Sequence, residues 1–460
     1  MNNISQLTIL TIGLVVGGLA YTAWEHLSVR SFPALDVNPG TYEARAAGPV
    51  LIRKATLMDG LGGQFENTDI LLEEGKIKQI GKALSVPSGA NIIEGAGKFV
   101  TPGLIDVHSH LGVASLPYGT GDVGVWDVNE GTSAQTPEVH VEHAIWPQDP
   151  SFSASLSGGV TTLQVLPGSS NLFGGLGVVL KNIPSVTAQA MKFPGAPYGL
   201  KLACGENPKN YGMEGQAPGS RMGNMAMQRQ AWVDARGYAE EYRDGDRQRD
   251  LGMEVLAGAL RGDVKLHVHC YRADDMANIL DMAREFNLQI AAFHHAVEAY
   301  KISDLLVRDN ICSAVWSDWW GYKLEAFDGI KENAAFLEAA GACVVLHTDF
   351  PVLAHMMNVE AAKALAAGQE AGIEMSEAEA LSWITINAAK VLGLDDRIGS
   401  LEVSKNADVV LWSGDPFSIY SKAELVFIDG VEVYDIKDGD SWRNSDFMIG
   451  QPAREDMSND

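Results

Sequence analysis

The chain has 460 residues, 46% of them hydrophobic, enough to bury a large core and to form two or three domains. Acidic residues outnumber basic ones by 59 to 34, and the formal charge of −25 repels phosphate backbones, which argues against nucleic acid as a partner. The four cysteines, Cys204, Cys270, Cys312 and Cys343, are scattered through apolar, strand-like runs and form no CxxC pair. They are therefore expected as buried thiols, not as a disulfide framework or a zinc site.

In chain order, the first 24 residues carry no charge, and Leu7–Trp24 is a mostly apolar run at the lower limit for a membrane span. It is also longer than a usual signal-peptide core. Residues 1–30 read as a signal peptide or a membrane anchor of an exported protein, periplasmic or held at the membrane. Residues 31–48, with Pro, Gly and small side chains, read as a linker.

Residues 49–100 give short β-rich runs between Gly, Asn and Asp turns, and the same texture returns over 396–440. Between them, over 101–395, apolar runs such as "GVTTLQVLPG", "GLKLACGENP", "DVKLHVHCY", "LQIAAFHHA", "NICSAVW" and "ACVVLHTDFP" alternate with helical patterns. That alternation predicts a parallel sheet buried on both faces, and its length fits an α/β fold of the (β/α)8 TIM-barrel type better than an open sheet. Residues 207–251, rich in Gly, Met, Gln and Arg, read as an insertion after the "GLKLACGENP" strand. It would be either a lid or a surface excursion.

The stretch "TPGLIDVHSHLG" sets Asp106, His108 and His110 two residues apart, hence on one face of a strand. Such a face either meets water or binds a metal, for which neutral imidazole is the commonest ligand. In a barrel the active site lies at the strands' C-terminal ends, and five apolar runs end in His or carboxylate. These are His108 and His110, Glu206, His269 (with His267 deeper), the pair His294–His295, and Asp349 (with His347 deeper). Of the adjacent pair only one ring is expected to face inward; His295, the last before the loop, is the choice, leaving His294 packed outside. His347 is expected to be core or a supporting residue.

These residues carry a resemblance. "GKFVTPGLIDVHSHLG" resembles the strand-one signature of the metal-dependent amidohydrolase superfamily, in the branch of imidazolonepropionases and prolidase-like enzymes. "INAAKVLGLDDRIGSLEVSKNADVVLW" resembles its return from barrel to a small β-domain. The likeness spans Val50–Asp435 and implies a (β/α)8 barrel beside a composite β-sandwich built from 49–100 and 396–440.

It further implies two divalent ions, with His108 and His110 on one and His269 and His295 on the other. Asp349 would contact metal and move protons. The bridging ligand in relatives is a carbamylated lysine or a glutamate; Glu206 is preferred over Lys201, which lies deeper in the strand. Zinc is the first expectation, with manganese, cobalt or iron open.

The implied reaction is hydrolysis of an amide or cyclic-amide C–N bond in a small molecule, by a metal-bridging hydroxide with Asp349 as proton shuttle. Alternatives are a deaminase, a dipeptidase or a non-catalytic scaffold. Deaminating relatives place Glu where this chain has Arg272, which disfavours the first. Tyr271 and Arg221 are the candidate substrate contacts, the latter for a carboxylate. "LPGSSNLFGG" lacks the Lys-Ser/Thr ending of a phosphate loop, so no nucleotide is expected. A homo-oligomer is compatible with all of this.

Overall fold

Sixteen strands build two sheets in a computed structural model that describes residues 39–115, 126–213, 215–244 and 247–438. The apolar run over 7–24, and any signal or anchor in it, lies outside the described residues. In chain order the strands are β1 (Val50–Met58), β2 (Gln64–Glu73), β3 (Lys76–Gly81), β4 (Asn91–Glu94), β5 (Phe99–Pro102), β6 (Leu104–Ser109), β7 (Val160–Val165) and β8 (Phe173–Lys181). They continue as β9 (Gly199–Ala203), β10 (Lys265–Cys270), β11 (Ile290–His295), β12 (Cys312–Val315), β13 (Val344–Leu346), β14 (Val409–Trp412), β15 (Ala423–Ile428) and β16 (Val431–Asp435).

The first sheet joins the two ends of the chain, in the order β16-β15-β14-β5-β1-β2-β3, with β4 also on β1. Strand β1 forks: Val50–Arg53 pairs with β4, whereas Thr56 and Leu57 pair with β5. Strands β2 and β3 turn through Glu74 and Gly75, both at positive φ (54° and 75°), the twist that a two-residue hairpin requires. The antiparallel β5–β14 pairing is the seam where residues near 100 meet residues near 410.

Strands β6 to β13 form the second sheet, a nearly closed barrel. The strands β6 to β9 are buried at every position, their polar residues Asp106, His108, Gln164 and Lys201 included. One strand departs from the expected all-parallel barrel: β8 runs antiparallel to both β7 and β9. The connection Leu166–Leu172 falls short of the dozen or so residues a parallel crossover needs, so the chain can only return as a hairpin.

Closure between β6 and β13 uses backbone and side chains together. Asp349 N–H donates to the His108 carbonyl at 3.0 Å. The Asp106 carboxylate accepts from the backbone N–H of His108 at 3.0 Å and of Thr348 at 3.4 Å, and from the Thr348 hydroxyl. Asp106 is thus occupied in holding the barrel shut.

The insertion is neither lid nor loose excursion. Most of it is a 24-residue helix, Arg221–Asp244, whose Trp232, Ala235 and Tyr238 are fully buried. The Trp232 ring meets Phe173 of β8 edge-on at 5.3 Å. The helix therefore belongs to the outer layer of the barrel.

The cysteines correct the expectation of free thiols. Cys204 pairs with Cys270 and Cys312 with Cys343, with Cα–Cα separations of 5.2 and 4.5 Å, in the range a disulfide spans. The reason is register: Ala203 lies opposite His269 and Ser313 opposite Val344, so each cysteine faces its partner across neighbouring parallel strands. One bridge sits at the C-terminal end of its strands and the other at the N-terminal end.

Candidate metal centre

Seven of the chain's 11 histidines converge inside the barrel: His108, His110, His267, His269, His294, His295 and His347. Ligand-capable atoms of His108, His110 and Asp349 lie within 4.8 Å of one another, as do those of His108, His295 and His347. The rings of His269 and His295 approach edge to face at 4.6 Å between centroids, and His347 stacks on His108 at 4.9 Å. The strand ends thus meet at the barrel mouth.

Register explains why these side chains meet, and corrects one expectation. His294 lies opposite His269 in the β10–β11 ladder, so both point to the same face, inward. His294 therefore does not pack outside. His295 also reaches the interior because its φ of 69° breaks the strand's alternation. Asp349 adopts a similar left-handed backbone, φ 62°. Strain of this kind, about 1–3 kcal/mol per residue, clusters where a side chain must be aimed.

The bridging position is the second correction. Lys201 starts mid-barrel, opposite His267, but its four-carbon stem carries Nζ up to 3.2 Å from His108 Nε2 and 3.0 Å from the Pro167 carbonyl. Glu206 lies beyond the end of β9 in a helical turn and turns away, pairing with Lys323 at 3.1 Å. Lys201, not Glu206, faces the histidines.

Arg221 is likewise spent elsewhere: its guanidinium holds Asp275 at 2.9 Å and Glu325, tying the long helix to the loop after β12. It is not available for a substrate carboxylate. Arg272 binds Asp274 on the surface. Tyr271 is at the centre, edge-on to His269 at 4.7 Å and stacked on His295 at 5.4 Å, with its hydroxyl 2.5 Å from that of Tyr322.

Burial sets the charge state of the cluster. It pushes the imidazolium of His267 and His347 down to about 3, and those of His108, His269, His294 and His295 well below the usual 6.5. All six are neutral, the form that binds metal. Burial also lowers Lys201 to about 7, against the opposing pull of Asp349. For Asp349 burial works upward, but the hydrogen bond and charge of His110 outweigh it, so the carboxyl stays below its usual range.

Two observations show that this donor set fits divalent cations. Both ring nitrogens of His269 and of His347, and Nδ1 of His295, are buried without a hydrogen-bond partner. Each such orphan costs about 1–3 kcal/mol unless something binds it. Secondly, His110 Nδ1 lies 2.8 Å from the Leu166 carbonyl, which can only accept, so the proton is on Nδ1. Its Nε2 then turns a lone pair toward Asp349 Oδ1 at 3.2 Å. Two acceptors cannot hold that contact by themselves: it takes either a second proton on the ring, which is the hydrogen bond that lowers Asp349, or a metal ion in its place.

With that geometry in place, the relatives are informative. A solved amidohydrolase structure from Thermotoga maritima superposes with a TM-score of 0.77 at 36% identity, covering 84% of this chain and 100% of that one. The chain belongs to the amidohydrolase family. Its residues 264–440 match the model of that family, whose members hydrolyse carbon–nitrogen bonds. Amidohydrolase tasK of Hapsidospora irregularis is 32% identical over 412 residues, 82% of this chain and 41% of that protein. An imidazolonepropionase of Vibrio cholerae is 32% identical over 133 residues, 25% of this chain and 32% of its own length. The chain thus spans less than half the length of these two curated relatives.

Sequence reasoning gave three residues at this amidohydrolase site too little weight. Lys201 was set aside on Cα position alone, although a lysine stem spans two strand layers. His347 was expected as core or a supporting residue, and both its ring nitrogens lack a partner. Trp316, from the loop after β12, stacks on His295 at 4.3 Å, and Trp319 stacks on it in turn at 5.2 Å. The "WSDWWGYK" run carried that signal.

Proposed function

We propose that this amidohydrolase cleaves an amide or cyclic-amide C–N bond of a small molecule with the help of two divalent ions, zinc first among them. One ion would be held by His108, His110 and Asp349, the other by His269 and His295 with His347 at hand. Lys201, in place of Glu206, would help hold them: its amine, on addition of carbon dioxide and loss of a proton, would become a carbamate whose oxygens are metal donors. Bound there, such ions supply Lewis acidity and an acidified water.

The chain's own groups do the rest. Asp349, held ionised beside His110, accepts a proton from the attacking water and returns it to the leaving nitrogen, which departs poorly unless protonated. Tyr271, whose phenol burial keeps protonated, is placed to donate to oxygen charge developing on the substrate carbonyl. Trp316, Trp319 and Phe350 give an apolar wall beside His295 for the rest of the substrate.

The observation that carries this reading is the set of buried imidazole nitrogens without partners, on His269, His295 and His347, around the His110 Nε2–Asp349 Oδ1 contact. A panel of cyclic amides, N-acyl amino acids and dipeptides tests it. At least one should be hydrolysed by zinc-replete protein, stop on chelation and recover on zinc addition. Hydrolysis indifferent to chelator, or none at all by metal-loaded protein, contradicts it.

We also infer an oxidising location, outside the cytoplasm. The two inter-strand disulfides support it, because such bonds persist where thiols are not kept reduced. Cell fractionation with mass-spectrometric mapping of the two bridges is the check; cytoplasmic protein with four free thiols refutes it.

A further inference from the structure

A line of buried polar groups runs down the barrel axis from the metal centre, and the reaction above uses only its first member, His108. His108 Nδ1 lies 3.0 Å from His294 Nδ1. His294 Nε2 lies 3.0 Å from His267 Nδ1, and His267 Nε2 lies 3.4 Å from the side-chain amide of Gln164 on β7. None of the four residues is more than 2% exposed.

Gly199 of β9 belongs to the same arrangement: a Cβ there would lie 2.4 Å from His267 Cδ2 and 2.7 Å from Gln164 Nε2. A glycine within a strand marks a close approach of neighbouring groups, and Gly199 opens β9. Here it makes the room in which imidazole and amide meet.

We propose that Gln164, His267 and His294 form a directional hydrogen-bond column that fixes His108 with its Nε2 lone pair toward the ion site, Gln164 being the terminal acceptor. The polarity follows from donor counting. A neutral imidazole has one N–H and one lone pair. His108 Nε2 lies 3.2 Å from the Lys201 amine and 3.3 Å from Asp349 Oδ1; with an ion bound among these groups its lone pair is on Nε2 and its proton on Nδ1.

His294 must then accept at Nδ1 and donate from Nε2; His267 must accept at Nδ1 and donate from Nε2 to Gln164. The last step needs the amide oxygen. Gln164 Oε1 is at present buried without a partner, while its nitrogen faces His267. Amide nitrogen and oxygen exchange places by a half-turn of the terminal torsion. The half-turn gives Gln164 Oε1 its donor and completes the column. These are positioning residues: they touch neither substrate nor ion and act through His108.

The inference rests on the ion-binding reading, and the two are separable. Metal content of the wild type tests that reading; the differences between variants and the proton positions test the column. Gln164→Leu, which removes the acceptor, should weaken zinc binding, measured by competition with a chromophoric chelator, by about ten- to a hundredfold. Gln164→Glu, which keeps an acceptor, should bind at least as tightly as wild type.

Cobalt-substituted Gln164→Leu should also show a shifted d–d spectrum, which a change in bulk stability alone would not produce. Nitrogen-15 NMR of imidazole-labelled wild type provides a check without a variant. It should find His108 protonated on Nδ1, and His294 and His267 on Nε2. Unchanged zinc affinity in a folded Gln164→Leu, or a His267 proton on Nδ1, overturns the column.

Discussion

Two clusters of buried polar groups lie at opposite ends of the barrel's responsibilities. At the seam with the first sheet, Lys181 Nζ meets Asp429 at 2.8 Å and Asp408 at 3.4 Å, Tyr42 donates to Asp429, and the Asp429 backbone N–H donates to Asp408 at 2.8 Å. The Lys181 ammonium also lies 4.7 Å from the centre of the Phe193 ring. Every charge there has a partner. At the mouth, imidazole nitrogens of equal burial have none, and an acceptor faces an acceptor. A saturated buried cluster holds structure together; an unsaturated one waits for a ligand.

That contrast is sharpest in how each cluster responds to damage. Asp349→Asn should lower turnover by about 10²–10⁴ while leaving the thermal midpoint close to wild type. A variant with full turnover would remove Asp349 from the proton path. Acid comes next. Six mouth imidazoles have folded pKa values below the unfolded 6.5, so the unfolded chain binds protons that the fold refuses.

Stability of the metal-free protein must therefore fall as pH drops below about 6.5, by up to about 1.4 kcal/mol per pH unit for each imidazole. Denaturant titrations with chelator at pH 7, 6 and 5 check this; a flat profile breaks the account of neutral, buried rings.

At the seam, Lys181→Met leaves two carboxylates buried together and should cost about 3–5 kcal/mol by denaturant titration, with zinc affinity unchanged. Equal damage to both would mean that the two clusters are not independent. The disulfides give the smallest expected effect. Replacing both Cys312 and Cys343 by Ser should cost about 2–4 kcal/mol and leave the mouth alone. The same change at Cys204 and Cys270 should also weaken metal binding, because Cys270 adjoins His269 and the Cys204 N–H donates to the His269 carbonyl at 2.9 Å.

The barrel was legible because its strands are apolar runs and its helices periodic; the antiparallel β8 was not, since Gly-rich "LFGGLGVV" reads as loop until its neighbours are known. His108, His110, His269 and Asp349 were readable from alternation near strand ends. Local alternation failed at His294 and His295, where a left-handed residue puts both rings inside. Depth along its strand left His347 between core and supporting residue, and its position among the other rings was not readable from the chain. Lys201 and the cysteine pairs share one cause: each depends on which residue lies opposite in the next strand, and register is fixed by the closed barrel as a whole. Arg221 looked free because its carboxylate partners lie far along the chain.

The central claim is that separate strands bring these imidazoles and Asp349 together to hold divalent ions. Its most direct measurement is the metal content of folded protein after zinc loading and gel filtration, for wild type and His110→Ala. The account predicts about two zinc ions per wild-type chain, with loss of at least one from the variant. Folded wild-type protein that retains no stoichiometric metal, and whose unfolding midpoint ignores both zinc and chelator, would contradict it.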